Sequence, residues 1–364
     1  MTLHKGQPVP GNPNAPRRAE HERAGGTGER DTDRGGHRKV GHAAGPTTDG
    51  IRHEARGTTT DHQARASGPT TDGLRHEAHG TATDHIRYEV VDMFADRPLT
   101  GCALGVVPDA SGLSDEDLAA VAAELNTSET AFVLPATAPG ATHRVRVFTP
   151  TGESPFGGHS AIGTAATLVR LGVLPAGRVV QECGPKLQPV DATADGGTLS
   201  ATNPLDSEEF DPTGLARACG LPADLPSATA AGFGPAFHFL PVCPDALADA
   251  RLHADDPVWA DRTDLFAFTW DPDTRTARAR MFAPGYRMPE DPACASAGLG
   301  LGVWLVSAGL LTDDGTHRFT VHQGVELGRP STLDCTVTVE GGRAVAGSVS
   351  GVVRPALDGR IALS

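Results

Sequence analysis

Arg146-Val-Phe-Thr-Pro150 and Arg280-Met-Phe-Ala-Pro284 share the pattern R-x-F-x-P. Each closes a stretch that reads as a strand: in the first, His143, Val145, Val147 and Thr149 alternate with Arg144, Arg146 and Phe148, the period of two expected of a sheet. Each then passes through a small-residue turn, Phe156-Gly-Gly-His-Ser160 or Ala293-Cys-Ala-Ser-Ala297, into a Gly/Ala-rich apolar helix. Short patterns with free positions recur by chance, but the matching order of strand, turn and helix points to two similar halves. Two such halves facing each other would bring two helix N-termini to one cleft, where free N–H groups favour a small anion such as a carboxylate.

Outward from these stretches, residues 87–364 read as an α+β mixture. Tyr88 to Phe94 is a strand. Ser114 opens a helix with Asp117 at the capping-box position and Leu118, Val121, Ala122 and Leu125 on one face. Strands follow at Ala131 to Leu134 and Thr142 to Thr149, a helix over Ser160 to Leu171, and strands near Val179 to Glu182 and Thr198 to Thr202. After a helical Leu215 to Cys219 come strands at Ala236 to Val242, Leu265 to Trp270 and Thr276 to Phe282 and an apolar helix from Ala297 to Leu310. The last strands are at Thr320, Cys335 to Val339 and Ala344 to Val353.

Residues 1–86 differ from the rest. They hold no Phe, Trp, Tyr or Cys but nine of the 15 histidines, and cannot bury enough apolar surface to offset the entropy of ordering. A disordered tail is expected. Within it Gly45 to His62 recurs as Gly68 to His85 with three differences in 18 positions, a duplication with too few units and too little apolar surface for a solenoid. His76-Glu77-Ala78-His79 has its histidines three apart, not the four that a zinc-binding helix face needs. Residues 87–364 carry 19 Lys/Arg against 34 Asp/Glu, an acidic balance that disfavours nucleic acid and anionic lipid as partners. Neither a membrane-spanning run nor a signal-peptide core is evident, so a cytoplasmic protein is expected. Six widely spaced cysteines without a CxxC pair suggest reduced thiols.

Four polar residues stand out as carriers of chemistry. Glu129 directly precedes the apolar strand Ala131 to Leu134, where partial desolvation would raise its pKa as a general acid/base requires; a solvated loop carboxylate is the competing reading. His159, between Gly158 and Ser160 at a helix start, could meet a substrate or serve as a cap or support. Asp291 and Ser296 lie at the opening of the later helix, where a plain favourable N-terminal charge is the alternative for Asp291. Gly158-His-Ser-Ala-Ile-Gly163 lacks the spacing of a nucleophile elbow, and no P-loop or dinucleotide fingerprint follows a strand. Gly298-Leu-Gly300-Leu-Gly302 fits close packing inside an apolar helix better.

At these same residues the sequence resembles the phenazine-biosynthesis PhzF-like isomerases, whose fold is shared with diaminopimelate epimerase. The resemblance is carried by Val91-Asp-Met-Phe-Ala-Asp-Arg-Pro-Leu-Thr-Gly101, Glu124-Leu-Asn-Thr-Ser-Glu-Thr-Ala-Phe-Val133, Arg146 to Pro150, Pro155-Phe-Gly-Gly-His159 and Glu290-Asp-Pro-Ala-Cys-Ala-Ser296, and it covers residues 87–364. It implies two pseudo-symmetric halves, each a sheet wrapped around a central helix: 87–207, completed by 350–364, and 208–349. It also implies proton transfer within a small carboxylate-bearing substrate without metal or organic cofactor, and a homodimer. By position Glu129 is similar to the family's catalytic acid/base, while Gly158, His159, Asp291, Cys294 and Ser296 fall where substrate is bound or oriented.

The departures bear on substrate choice. Cys294 and Ala295 stand where the family commonly has Thr and Gly, and Ser160 replaces a Pro. Cys294 falls where epimerase relatives keep one of two catalytic thiols, but the opposing position is Gly157, which disfavours a two-thiol racemase. A small buried apolar role for Cys294 is the alternative. An epimerase or lyase using the same cleft, or a non-catalytic binding module, are the competing functions.

Overall fold

The computed structural model describes residues 85–154, 157–222 and 228–363. The expected disorder of the tail, its duplicated segment and the His76 to His79 reading lie outside the described residues, as do Pro155 and Phe156. The first strand starts at His85, two residues inside the tail as drawn from composition. Ile86 is buried there and joins an apolar cluster with Leu118, Val121 and Phe132.

Described strands far outweigh helices. The first run is β1 (His85–Met93), β2 (Cys102–Val107), α1 (Asp115–Leu125), β3 (Glu129–Leu134), β4 (His143–Thr149), β5 (Gly152–Ser154), α2 (His159–Arg170), β6 (Gly177–Cys183), β7 (Lys186–Thr193) and β8 (Gly196–Thr202). The second is β9 (Glu208–Phe210), α3 (Thr213–Ala218), β10 (Ala228–Ala231), β11 (Phe237–Pro241), α4 (Pro244–Asp249), β12 (Leu265–Asp271), β13 (Thr276–Ala283), β14 (Met288–Asp291), α5 (Ala295–Ser307), β15 (Gly315–Gln323), β16 (Ser331–Glu340) and β17 (Arg343–Ala362). All the strands belong to one mixed hydrogen-bonded network.

Parallel pairs mark the helical crossovers, as chain geometry requires. β2 runs parallel to β3 across α1, and β4 to β6 across α2. β11 runs parallel to β12 across α4, and β13 to β15 across α5. The neighbours β3 and β4, β4 and β5, β12 and β13, and β13 and β14 are antiparallel. β17 pairs antiparallel with β16, with β8 and, over its last ten residues, with β1.

Local chemistry explains the helices. Ser114 caps α1 through Asp117 N–H, and Asp117 answers with its carboxylate on Ser114 N–H, the reciprocal box read from the sequence. Asn126 ends α1 in the left-handed region (φ 47°), turning the chain toward β3. Ten of the 12 residues of α2 and 11 of the 13 of α5 are buried. Burial, not propensity, holds α2: Gly163 costs about 1 kcal/mol against Ala in a helix, whereas buried Ile162 and Leu168 contribute roughly 1.5–3 kcal/mol each. A methyl on Gly163 would overlap Met93 Sδ, so the glycine is what lets α2 approach β1. In α5 a Cβ at Gly298 would lie 3.3 Å from Cys335 Sγ and one at Gly302 3.0 Å from Val337, consistent with the close-packing reading.

The structure also gives the R-x-F-x-P pattern its cause. On each strand the guanidinium lies over the ring two residues on, Arg146 at 5.3 Å from the Phe148 centroid and Arg280 at 4.8 Å from that of Phe282. Each also forks a carboxylate on the next strand: Arg146 donates to both oxygens of Glu153 (2.8 and 2.7 Å), and Arg280 to both of Glu290 (2.9 and 2.8 Å).

Candidate active site

Parallel pairing of β2 with β3 sets Leu104 beside Glu129, with Cys102 at the same end of the sheet. Glu129 is the first residue of β3 rather than a loop residue. The turn before it is tied by Thr127, whose hydroxyl donates to Glu129 O (2.7 Å) and accepts from Gly105 N–H (3.2 Å). The Glu129 side chain is only 12% exposed, which removes the solvated-loop reading.

His159 is the first residue of α2, with Gly158 at the N-cap position and no side-chain cap. Its Nε2 lies 3.3 Å from Glu129 Oε2 and 3.9 Å from Cys102 Sγ. Asp291 closes β14; its Oδ1 accepts from Ala293 N–H (3.0 Å) and faces Cys102 Sγ at 3.9 Å. Three of the residues expected from the sequence, Glu129, His159 and Asp291, thus meet in one buried cluster. Cys102 is the member that sequence reading missed.

The other expected residues sit at the adjoining helix ends. Cys294 is the N-cap residue of α5 and buried, and no side chain caps that helix. Ser296, in its first turn, is partly exposed. Buried amides hold the backbone on both sides. Gln188 donates from Nε2 to Gly157 O (2.9 Å) and accepts at Oε1 from Gln181 Nε2 (3.1 Å), whose own Oε1 lies 3.2 Å from His143 Nε2. Gln323, fully buried, donates to Asp291 O (2.6 Å) and accepts from Cys294 N–H (3.4 Å). A side chain at Gly157 would overlap Ser160 Oγ and come within 2.8 Å of Val147 Cγ2, so a second thiol facing Cys294 has no room there.

The electrostatics favour proton exchange. Burial raises the Glu129 pKa, against the pull of the neighbouring imidazole. For His159 burial works the other way, but the carboxylate of Glu129, with Cys102 and Asp291, outweighs it and pushes the ring up to about 10. Burial, with Asp291 adding, pushes the Cys294 thiol well up. Glu129 Oε2 and the Ser160 and Thr164 hydroxyls are buried without accepting or donating a hydrogen bond among the described residues, polar atoms that a bound molecule could satisfy.

A pH dependence of stability follows. His159 is held above its ordinary 6.5, so the stabilisation from its charge is full below that pH and is lost as pH rises through about 10. The raised pKa of Glu129 acts in the same direction from 4.5 upward. Denaturant titrations should therefore show stability falling from pH 7 to 10, with a smaller fall in His159→Gln; equal slopes would refute the pairing.

A family model described as phenazine biosynthesis-like protein, PhzC-PhzF, matches residues 91–210 and 245–353. The trans-2,3-dihydro-3-hydroxyanthranilate isomerase of Pseudomonas aeruginosa is 31% identical over 277 residues, 73% of this chain and 95% of the relative. An uncharacterized isomerase of Mesorhizobium japonicum is 31% identical over 304 residues, covering 75% and 98%. Among solved structures, a predicted epimerase from Pseudomonas aeruginosa is 31% identical with a TM-score of 0.64, over 77% of this chain and all (100%) of that one. The fold is also that of a PhzF family protein of Bacillus anthracis, at 21% identity and a TM-score of 0.67 over 77% of this chain and 99% of that one. With the fold, the motifs and these similarities in agreement, the chain belongs to the PhzC-PhzF family of phenazine biosynthesis-like proteins.

Proposed function

We propose that this chain, an isomerase by family, moves a proton within a small carboxylate-bearing substrate, with Glu129 as the group that removes the proton from one carbon and returns it to another. The observation that carries the reading is a buried carboxyl of raised pKa, 3.3 Å from a buried imidazole. A raised pKa makes the carboxylate a stronger base and keeps the resulting acid close to the pH at which it must give the proton back. Exclusion of water keeps that proton from being lost between the two steps. Because one carboxyl does both, the step as written calls on no metal or organic cofactor.

His159 holds Glu129 in place and offsets its charge. The uncapped starts of α2 and α5, at Gly158 and at Cys294 to Ser296, supply N–H groups for the substrate's carboxylate, with Asp291 orienting its polar end. The repeated order of crossovers, and the matching Arg–Phe–Glu arrangements, support two pseudo-symmetric halves facing each other across this site, 87–207 with 350–364 and 208–349. A homodimer working in the cytoplasm, in the biosynthesis of a phenazine-like or other secondary metabolite, completes the proposal. Among the described residues no helix is long and apolar enough to cross a membrane.

Epimerisation is the second reading, favoured by the thiol at the start of α5 and by the name of one solved relative. Incubation of the protein with trans-2,3-dihydro-3-hydroxyanthranilate, other cyclic dienes and amino acids in deuterated water separates the two. A shifted double bond with proton retention or exchange at the new carbon supports isomerisation. Inverted configuration with deuterium at the same carbon supports epimerisation. No exchange on any of them, with tight binding of a partner protein, overturns both in favour of a binding module.

A further inference from the structure

Cys102 opens β2 and is completely buried. Its sulfur lies 3.9 Å from His159 Nε2 and 3.9 Å from Asp291 Oδ1, and the same Nε2 lies 3.3 Å from Glu129 Oε2. The side chains come from β2, β3, the first turn of α2 and the end of β14; Glu129 and Cys102 approach the same ring nitrogen, the carboxylate as its ionic partner, and Cys102 spans from that nitrogen to Asp291. A carboxylate can only accept a hydrogen bond and an imidazolium can only donate one, whereas a thiol can do both. Between the ring and Asp291 it can accept from Nε2–H on one side and donate S–H to the carboxylate on the other.

We propose that Cys102 is a positioning residue of this site, joining the Glu129–His159 pair to Asp291 so that the charge and direction of the imidazole depend on the thiol. The proposal rests on reading the cluster as the active site. A thiol suits the place because burial holds it protonated, so it contributes a dipole without a third negative charge beside Glu129 and Asp291. The sulfur end of that dipole faces the ring and favours its protonated form. What happens to Asp291 when substrate arrives is thereby passed to Glu129 before any proton moves.

The groups acting on the ring are Glu129 from β3, Cys102 from β2 and Asp291 from β14, so a titration of His159 reads the thiol directly. The experiment follows the ring resonance of His159 by NMR in the full chain, assigned by its loss in His159→Gln, for wild type, Cys102→Ala, Cys102→Val and Cys102→Ser. The midpoint is expected to fall by about half a pH unit in the Ala and Val variants and to return most of the way in Ser, which keeps a donor and an acceptor. A wild-type midpoint in Ala and Val overturns the proposal, as does a Ser variant that falls with them, since the polar group would then not be what acts. Ala and Val bracket the thiol in size, so a packing defect in one leaves the other to decide. The titration uses no substrate, so its failure is separate from failure of the isomerase reading, which the deuterium experiment tests.

Discussion

Glu129→Gln is expected to lower turnover by about 10²- to 10⁴-fold, the range over which a positioned acid/base contributes. Glutamine keeps the shape and the hydrogen bond of the backbone carbonyl to Thr127, so the loss would come from the proton carrier and not from the fold. Because Glu129 is the first charge that raises His159, the same change should also bring the ring down from about 10, visible in its NMR titration. Loss of turnover together with that downward shift identifies one coupled pair. Wild-type turnover in the variant removes Glu129 as the carrier, whatever becomes of the imidazole.

Arg280→Ala is expected to cost 3–5 kcal/mol of stability, the usual penalty for breaking a buried ion pair. Both partners are nearly inaccessible, Arg280 at 7% and Glu290 at 10% side-chain exposure, and the guanidinium also donates to Leu247 O (3.2 Å) and Ala250 O (2.9 Å) at the end of α4. Its removal strands a carboxylate and two carbonyls together. Arg146 makes the same fork and the same ring contact, but with partners that are 77% (Asp115) and 44% (Glu153) exposed. Arg146→Ala should therefore cost about 1 kcal/mol or less. Urea unfolding of the two variants tests the contrast, and equal losses would show that solvent exposure does not decide the strength of this arrangement. Since Glu290 directly precedes Asp291, the Arg280 variant should also weaken catalysis before it unfolds.

Where the signal was local, the sequence was sufficient. The capping box at Ser114 needs only Asp117 three residues on, and the alternation from His143 to Thr149 needs only its own strand. The echo of R-x-F-x-P was visible for the same reason, but the carboxylates that explain it were not, because Glu153 and Glu290 are paired to their arginines by strand register. Glu129 could be named from its place before an apolar strand. Its burial could not, since the groups around it belong to β2, α2 and β14. Cys102 left no local trace at all: a thiol beside apolar residues reads as a small core residue until the pairing of β2 with β3 places it beside the cluster. The sequence pattern places the last strand over Ala344 to Val353 only. In the structure it continues to Ala362, with a register shift opposite Val90 and Val91.

That strand governs how the chain can be assembled in time. β17 closes the open edges of β8 and β16 and then that of β1, pairing His85 with Ala362. During synthesis, at about 5–20 residues per second, β1 waits with one edge bare until β17 has left the ribosome. Exposed strand edges are templates for wrong partners, and contacts this distant in sequence form slowly. The newborn chain is thus most vulnerable to aggregation in the interval before residues 343–362 emerge, and a chain cut short there would leave β1, β8 and β16 each with a bare edge at once.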